Sequence, residues 1–466
     1  MMLARSKLKN INPIWYVLLA AFVVRVLVPL LALIITKDNS VFHSRDTISY
    51  IRPAMELLSS GQFASNGIPE IVRTPGHPLF LIPGILLNKT ELVTIALQIV
   101  LSCLTVYLIF RIALILFDRV ELAVLCALMY VIEPLSILYT SKLLTETLFT
   151  CLIIFFLYYL LMYIKNRSLN QLLISAIALA ASVYVRPISY YLPLFITVVL
   201  LIWILTTMPK KSILLIHTCL FFFVSMGLIG LWQIRNKAET GYTGFSAITD
   251  INLYFYQGAS VIAVRQGVPY YEMQNKMGYR DKEVYFLNHP EQRLWNQSKR
   301  YQYMRKEGIR ILRNDPFLYS KIHLKGIIRT LLDPGAIEYL KLYKLYPESG
   351  GLLGIIVDKG LAKTVITLIK EKPIVFWINL LLGMLLALYF LFGVTALLSK
   401  NFIYDMPIIT LLCVGIYFLI FSGGPNSLNR FRHPIMPFLC ILAGHGLSLL
   451  FGKLILKKTS HTGVVV

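Results

Sequence analysis

Long apolar runs recur along this 466-residue sequence, and they constrain its fold more than any other feature. The hydrocarbon core of a bilayer is about 30 Å thick, so a helix needs about 20 apolar residues to cross it. Runs of this kind lie near 13–36, 91–116, 120–140, 143–164, 170–186, 188–207, 212–234, 374–398, 406–422 and 434–456. Only 15% of the residues are charged, which is low for a soluble protein. The sequence predicts an all-α polytopic membrane protein with about ten transmembrane helices.

The basic residues between these runs indicate the orientation of the chain. With a cytoplasmic N-terminus, the inner segments hold few acids and many bases, namely Arg5, Lys7, Lys9, Arg119, Lys165, Arg167, Lys210, Lys211, Lys400, Lys453, Lys457 and Lys458. Inner loops of membrane proteins are enriched in lysine and arginine, so this pattern predicts that both termini are cytoplasmic. The run 13–36 is too long for a signal peptide, and we expect it to be retained as the first span of a plasma (inner) membrane protein.

Two longer segments are left on the outer face, 37–90 and 235–373. They divide the chain into an N-terminal transmembrane region (1–234, about seven spans, including the first outer loop), an outer domain (235–373) and a C-terminal transmembrane region (374–466, about three spans). We expect interfacial helices in the first loop and a small, mainly helical outer domain.

Both outer segments contain helical patterns. In the first segment, apolar residues recur at helical spacing at Ile48, Ile51, Met55 and Leu58, and Gly61 follows them. This pattern predicts a short amphipathic helix on the membrane surface. The apolar stretch 73–87 is too short to span and predicts a second interfacial piece. In the outer domain we expect a helix over 291–313, with one side formed by Leu294, Tyr301, Met304 and Ile311. A second helix is expected to start at Asp315-Pro316 and to end before Asp333-Pro334.

The net charge of +22 limits the kinds of partner. Basic residues that flank membrane spans suit anionic lipid or a phosphate-bearing substrate. Nucleic acid is a poor candidate, because long apolar spans interrupt the basic residues. All six cysteines lie in apolar runs, which suggests neither a disulfide framework nor a CxxC metal site.

Several charges lie at the predicted outer ends of spans, at Arg45, Arg73, Lys142, Arg186, Arg235, Arg430 and Arg432. An arginine guanidinium matches phosphate with two hydrogen bonds, so a set of arginines from separate loops suits a lipid phosphate at the membrane surface. The alternative is that each of them extends to the interface and pairs with a nearby acid.

Two acids on this face are candidates for chemistry. Asp46 is placed to take a proton from an acceptor hydroxyl or amine, or else it caps the helix that starts at Thr47. Glu146 enters its span from the outside and can assist Asp46, or else it forms an i,i+4 pair with Lys142.

Other charged and ligating residues allow further interpretations. Arg25 and Glu133 lie within spans and are expected to find partners inside the bundle. A divalent metal is conceivable near His43, Asp46, His77 and His433, although no HxxxH or HExxH spacing occurs. The sequence has no nucleotide-binding motif, so the donor of an outer-face enzyme has to be carried by lipid.

Several motifs occur in an order that resembles the GT-C membrane glycosyltransferases. They are R-T-P-G-H-P-L-F from Arg73, E-P-L-S-I-L-Y-T-S-K-L-L-T-E from Glu133, Y-V-R-P from Tyr184, W-Q-I-R-N from Trp232 and N-R-F-R-H-P-I-M-P from Asn429. Within this group the sequence resembles the bacterial family-39-like enzymes, which are akin to protein O-mannosyltransferases and the lipid A aminoarabinose transferase.

The resemblance implies sugar transfer, with inversion, from a polyprenyl-phosphate donor to a lipid, glycan or protein acceptor on the outer face. Asp46 would then be the base that activates the acceptor, with Glu146 near the site. The donor phosphate would be bound by Arg73, Arg235, Arg432, His433 and Arg45. The alternatives are a transporter or flippase of a lipid-linked or anionic substrate, and a non-catalytic scaffold.

Overall fold

A computed structural model describes residues 13–208, 211–346, 369–370, 372–400, 402 and 404–459, with side chains described as far as residue 451. Several basic residues expected on the inner face lie outside these described side chains, namely Arg5, Lys7, Lys9, Lys210, Lys453, Lys457 and Lys458. Part of the predicted outer domain, 347–368, also lies outside the described residues.

The N-terminal region contains ten α-helices in its described part, besides the short 3₁₀ segments Asn39–Phe42 and Pro187–Ser189. They are α1 (Ile14–Thr36), α2 (Thr47–Ser60), α3 (Gly76–Leu86), α4 (Thr90–Phe117), α5 (Val120–Val131), α6 (Pro134–Tyr139), α7 (Glu146–Asn166), α8 (Leu169–Val185), α9 (Leu192–Thr207) and α10 (Ser212–Thr240). A small antiparallel hairpin, β1 (Ala64–Ser65) and β2 (Ile68–Pro69), follows α2. Its turn is Asn66-Gly67, and both residues have the positive φ that this hairpin turn requires.

The remaining described helices belong to the segment 235–373, which is predicted to be an outer domain, and to the last membrane segments. They are α11 (Ile248–Ile251), α12 (Ala259–Gln266), α13 (Tyr270–Lys276), α14 (Lys282–Asn288), α15 (Gln297–Asn314), α16 (Pro316–Leu332), α17 (Ala336–Leu342), α18 (Pro373–Leu397), α19 (Met406–Phe421) and α20 (Met436–Thr459). A π-helical segment, Asn252–Gly258, joins α11 to α12, and a 3₁₀ segment, Asn429–Ile435, leads into α20.

Each of the ten predicted spans coincides with helical structure. Among the described residues, seven helical stretches are long and apolar enough to cross a membrane, namely Ile14–Thr36, Thr90–Phe117, Glu146–Asn166, Pro187–Thr207, Ser212–Thr240, Pro373–Leu397 and Asn429–Phe451. The other three predicted spans correspond to the shorter apolar helices α5, α8 and α19. The predicted all-α fold with many membrane helices is confirmed.

The predicted span 120–140 is two helices, because Pro134 cannot continue α5. Helix breaks inside a membrane leave backbone groups without partners. Arg25 of α1 donates hydrogen bonds to the last two carbonyls of α5, at 3.1 and 3.3 Å. The Glu133 carboxylate accepts hydrogen bonds from the first amides of α6, at 3.0 and 2.5 Å. The partners that these two charges find inside the bundle are therefore mainly backbone groups.

The predicted amphipathic helix of the first loop is confirmed as α2. Ile48 and Met55 on this helix are 57% and 53% exposed. Gly61 ends it in the left-handed conformation with φ of 72°, and its amide donates a hydrogen bond to the Leu57 carbonyl. The apolar stretch that follows Arg73 forms α3, which packs against α2 and α4.

The described part of the predicted outer domain contains a separate apolar cluster, which includes Tyr254, Phe255, Met273, Tyr285, Met304 and Ile311. Helix α15 starts later than predicted, because the Asn296 side chain accepts a hydrogen bond from the Lys299 amide and caps it there. Leu294 is therefore not on the apolar side of this helix but 95% exposed before it. The predicted start of α16 at Asp315-Pro316 is confirmed, since the Asp315 carboxylate accepts a hydrogen bond from the Leu318 amide.

Helix α16 connects the outer domain to the end of the membrane bundle. Its Gly326 lies directly against the backbone of Gly424, which leaves no room for a side chain. His323 on the same helix is hydrogen-bonded through Nε2 to the Ile420 carbonyl at 2.8 Å. The 3₁₀ segment Asn429–Ile435 packs against α16 on one side and against α7 and α19 of the membrane bundle on the other.

Candidate functional site

Asp46 lies where the chain turns into α2, and two arginines bind its carboxylate. Arg73 Nη2 donates a hydrogen bond to Oδ1 at 2.9 Å, and Arg430 Nη1 donates one to Oδ2 at 2.8 Å. The carboxylate makes no capping hydrogen bond to the amides of α2. The interpretation of this side chain as a helix cap is therefore wrong, because both of its oxygens bind guanidinium groups that come from distant parts of the chain.

The two arginines determine the charge state of Asp46. Burial alone would raise the pKa of this carboxyl, but the charges of Arg430 and Arg73 and their hydrogen bonds outweigh that effect and hold the pKa below its ordinary value. The side chains of Asp46, Arg73 and Arg430 are 27%, 20% and 27% exposed. Asp46 is therefore an ionised carboxylate at neutral pH, and its side chain is partly accessible to solvent.

A second ion pair lies beside the first. Glu146, at the start of α7, pairs with Arg186 at the end of α8, at 3.3 Å. The predicted alternative, a pair between Glu146 and Lys142, is wrong, because Lys142 Nζ donates a hydrogen bond to the Val41 carbonyl at 2.7 Å. The Glu146 side chain is only 2% exposed. Arg430 interacts electrostatically with both acids, so the two pairs form one charge cluster.

The segment that carries Arg73 is held on several sides. Its guanidinium lies 4.7 Å from the ring centroid of Tyr50 and donates a hydrogen bond to the Tyr50 hydroxyl at 3.2 Å. The Glu70 carboxylate accepts hydrogen bonds from the amides of Val72 and Arg73. From the outer domain, the Ser246 hydroxyl donates to the Val72 carbonyl at 2.6 Å. These contacts fix the direction in which Arg73 points.

Two of the predicted phosphate-binding arginines bind backbone carbonyls. Arg235 donates hydrogen bonds to the carbonyls of Glu70 and Phe63, at 2.7 and 2.6 Å. Arg432 Nη1 donates hydrogen bonds to three carbonyls at the C-terminal end of α16, between 2.7 and 2.9 Å, and its residue is 2% exposed. In their described contacts, both side chains hold backbone segments next to the site, and neither side chain contacts the Asp46 carboxylate.

The remaining predicted residues take three different positions. His433 is buried, and its Nδ1 is hydrogen-bonded to the Thr150 hydroxyl at 2.8 Å. Arg45 is exposed and has no hydrogen bond or ion pair to another described residue. His43, one of the candidate metal ligands, pairs with Glu91 at 2.8 Å. Within the described ranges, no group of three or more histidine, cysteine or acidic side chains is arranged to hold a metal.

The sequence motifs led to the prediction that Arg432 binds the donor phosphate, and they did not single out Arg430. Both occur in N-R-F-R-H, and the motif alone does not distinguish them. A 3₁₀ helix has three residues per turn, so two positions two residues apart point in different directions. Arg430 consequently reaches Asp46, while Arg432 reaches the end of α16. Arg186 belonged to the predicted set of outer charges, but its partner Glu146 is 40 residues away and could not be assigned.

Comparisons with known proteins give one family match and several structural matches. Residues 73–229, about a third of the chain, match the family described as dolichyl-phosphate-mannose-protein mannosyltransferase. No protein of curated function matches the sequence.

Three solved structures resemble the chain, all at low sequence identity. Archaeal oligosaccharyltransferase AglB from Archaeoglobus fulgidus, in complex with an inhibitory peptide and a dolichol-phosphate, is 13% identical with a TM-score of 0.48, over 96% of this chain and 52% of that one. The oligosaccharyltransferase of the same organism, tethered with an acceptor peptide, is 14% identical with a TM-score of 0.48, over 94% and 50%. ArnT from Cupriavidus metallidurans in the apo state is 14% identical with a TM-score of 0.37, over 91% and 76%. This chain spans about half the length of the two archaeal structures.

The family match covers Arg73, Glu146 and Arg186 of the charge cluster, while Asp46 and Arg430 lie outside the matched residues. The match begins at the R-T-P-G-H-P motif and contains the E-P-L-S and Y-V-R-P motifs. Over residues 73–229, it confirms the predicted resemblance of this chain to the GT-C membrane glycosyltransferases related to the protein O-mannosyltransferases.

Proposed function

We propose that the chain is an inverting glycosyltransferase that moves a sugar from a polyprenyl-phosphate donor to an acceptor on the outer face of the plasma (inner) membrane. One observation carries the proposal: Asp46 is a reachable carboxylate whose two oxygens are each held by an arginine. Its setting in a bundle of membrane helices, and a matching family whose description names a dolichyl-phosphate sugar, support a lipid-linked donor.

The cluster lies at one end of the bundle. Glu146 begins α7, Arg186 ends α8, and Asp46 and Arg73 belong to the first loop after α1. The distribution of basic residues in the sequence favours the outer face for this end and the cytoplasm for both termini. A polyprenyl tail can then lie among the membrane helices with its phosphate at the interface.

The charges of the cluster suit a phosphate-linked sugar. Three arginines, Arg73, Arg186 and Arg430, face two carboxylates, Asp46 and Glu146, which leaves a net charge of +1. A polyprenyl-phosphate sugar is a phosphodiester with one negative charge, so the bound state is electrically balanced. We assign the donor phosphate to Arg73 and Arg430, with the exposed Arg45 as a further candidate.

The reaction transfers charge from Asp46 to the departing phosphate. Asp46 accepts the proton of the acceptor hydroxyl or amine, and the acceptor atom forms a bond to the anomeric carbon as the bond from that carbon to the phosphate oxygen breaks. The leaving polyprenyl phosphate then carries two negative charges, while Asp46 has become neutral. Arg73 and Arg430, which are already in place, stabilise the phosphate as its charge grows, and this interaction is stronger in the transition state than before it.

The other members of the predicted site support this pair. Glu146 is buried and paired with Arg186, so we propose that it positions Arg430 and does not contact the substrate. Arg235, Arg432 and His433 bind protein groups, and we propose that they hold the loops that carry the cluster.

The acceptor is proposed to approach between the membrane bundle and the outer domain. The π-helical segment of that domain brings Tyr256 into electrostatic range of Asp46. Burial, the Tyr279 hydroxyl and the charge of Asp46 together raise the pKa of the Tyr256 phenol. π-helical segments occur frequently at functional sites, and a phenol ring can stack on a sugar while its hydroxyl forms hydrogen bonds.

The test is sugar transfer by purified protein in lipid, with a panel of polyprenyl-phosphate sugars and with donor hydrolysis as a second readout. Asp46→Asn keeps the shape of the side chain but removes the base, and we expect turnover to fall by about two to four powers of ten. Asp38→Asn is the matched control. Asp38 lies in the same loop, but its carboxylate binds the amide and hydroxyl of Ser40 and the Lys344 ammonium.

Turnover by the wild type and by Asp38→Asn, with a folded but inactive Asp46→Asn, supports the assignment. Equal turnover by all three proteins would remove Asp46 from the mechanism. If none of them releases sugar from any donor in the panel, the proposal of a polyprenyl-phosphate transferase is refuted.

A further inference from the structure

A cleft of about 320 Å³ opens at the end of the bundle opposite to Asp46. It lies between the last turns of α4 and α7, and Arg111, Asp118 and Lys165 contribute charges to its lining. Leu114 and Ile115 form part of its apolar wall. None of these residues takes part in the proposed transfer, so the cleft is separate from the candidate active site.

Arg111 is the unusual residue of the cleft. It lies six residues before the end of α4, which is about 9 Å along the helix axis and within the apolar part of this membrane helix. A charge at such a position is costly, and charged residues in membrane segments are usually functional. Arg111 donates a hydrogen bond to the Tyr107 hydroxyl at 2.8 Å and lies 5.5 Å from the ring centroid of Tyr158. It forms no ion pair with any carboxylate in the described part of the chain.

The charges of the cleft suit an anion. Arg111 and Lys165 supply two positive charges and Asp118 one negative charge, so the net charge is +1. None of the three charges forms an ion pair with another described residue, so one positive charge of the cleft is left without a compensating acid in its lining. A phosphodiester with one negative charge would complete the balance, and a guanidinium can donate two hydrogen bonds to its oxygens.

We propose that this cleft binds the phosphate group of an anionic glycerophospholipid in the leaflet opposite to the active site. The apolar wall favours a lipid over free phosphate, because Leu114 and Ile115 lie on a membrane helix where acyl chains are available. Basic pockets between membrane helices are known to select anionic headgroups in this way. The proposal does not depend on the transferase reaction, since binding is measured without a donor sugar.

Binding can be measured by native mass spectrometry of delipidated protein in detergent, with phosphatidylglycerol and phosphatidylethanolamine of matched acyl chains. We expect the wild type to bind phosphatidylglycerol at least about tenfold more tightly, and Arg111→Gln to lose about tenfold in that affinity. Lys165→Gln, at an exposed position, should weaken binding in the same direction and guards against misfolding of the first variant. Arg119→Gln is the matched control, because Arg119 lies at the same end of the bundle outside the cleft.

Three outcomes would overturn the proposal. Equal affinity of the wild type for the two lipids would show that the net charge of the cleft does not select its ligand. Unchanged phosphatidylglycerol binding in folded Arg111→Gln and Lys165→Gln would place the lipid elsewhere. Displacement of the lipid by millimolar inorganic phosphate, with equal binding of phosphate alone, would show an ion site without a lipid.

Discussion

Replacing Asp46 by asparagine should weaken catalysis and, at the same time, tighten donor binding. In the resting structure, the carboxylate accepts a hydrogen bond from one guanidinium nitrogen of Arg73 and one of Arg430, at 2.9 and 2.8 Å. A donor phosphate that enters must share these arginines with an anion that is already there. Asparagine keeps the size of the side chain but removes the competing charge, and the net charge of the cluster rises from +1 to +2.

The size of the effect follows from Coulomb's law. Two unit charges about 5 Å apart repel each other by about 3 kcal/mol at an effective dielectric constant of about 20, and by about 0.8 kcal/mol in water. The larger energy corresponds to about a 200-fold change in affinity and the smaller one to about a 4-fold change. The side chains are 20–27% exposed, so solvent screens part of the repulsion, and we expect donor affinity to rise by about tenfold.

The assay measures binding and turnover on the same preparations. Binding of a polyprenyl phosphate, with and without its sugar, is followed by microscale thermophoresis of protein in nanodiscs at two salt concentrations. The gain in affinity should shrink at high salt, because it is electrostatic. Weaker or equal binding by a folded Asp46→Asn protein would refute the reasoning, since it would mean that the carboxylate orients the arginines for the phosphate and does not compete with it.

Three further predictions follow from single contacts. Arg430→Gln should reduce kcat/KM by about two to three powers of ten with little loss of stability. Arg432→Gln loses three hydrogen bonds to carbonyls and should lower the free energy of unfolding by about 2–4 kcal/mol. Measurements of activity and thermal unfolding on both variants distinguish the two roles. Because Arg430 and Arg73 hold the pKa of Asp46 below its ordinary value, the carboxylate stays ionised at neutral pH, and its contribution to stability is lost only as the pH falls through that lowered pKa. A pH–rate profile should therefore show the acid limb of Asp46 only well below neutrality, and Arg430→Gln should move that limb to higher pH. Gly326→Ala should destabilise the protein by about 1–3 kcal/mol, because a Cβ at this position collides with the backbone of Gly424. Thermal unfolding measures this effect, and an unchanged melting temperature would contradict the packing.

The fold was largely predictable because each membrane helix is encoded locally. An apolar run of about 20 residues is sufficient to predict a span, and Gly61 and Asp315-Pro316 mark helix ends through their own backbone preferences. The sequence prediction failed where distant residues decide the structure. Arg25 stabilises the helix break near residue 132 from 105 positions away, and no local pattern announces that contact.

The candidate site was predictable in kind but not in its pairing. Asp46 and Arg73 are conspicuous in the sequence, because charged residues are few in this chain and these two lie in a loop next to membrane spans. The pair between Asp46 and Arg430 joins positions 384 residues apart, and only the fold brings them together. The capping interpretation of Asp46 was reasonable on spacing alone, but two guanidinium groups are stronger partners for a carboxylate than a backbone amide is.

The arginines of this chain differ in what their partners can exchange. Arg25, Arg235 and Arg432 bind backbone carbonyls, which would lose their hydrogen bonds if the guanidinium turned to a substrate. Arg73 and Arg430 instead each bind the Asp46 carboxylate through one guanidinium nitrogen, so a phosphate can share these guanidinium groups without taking a donor from a backbone carbonyl. Position at the predicted outer end of a span therefore does not identify a substrate-binding arginine, and we propose that role for Arg73 and Arg430 because they converge on the partly exposed carboxylate of Asp46.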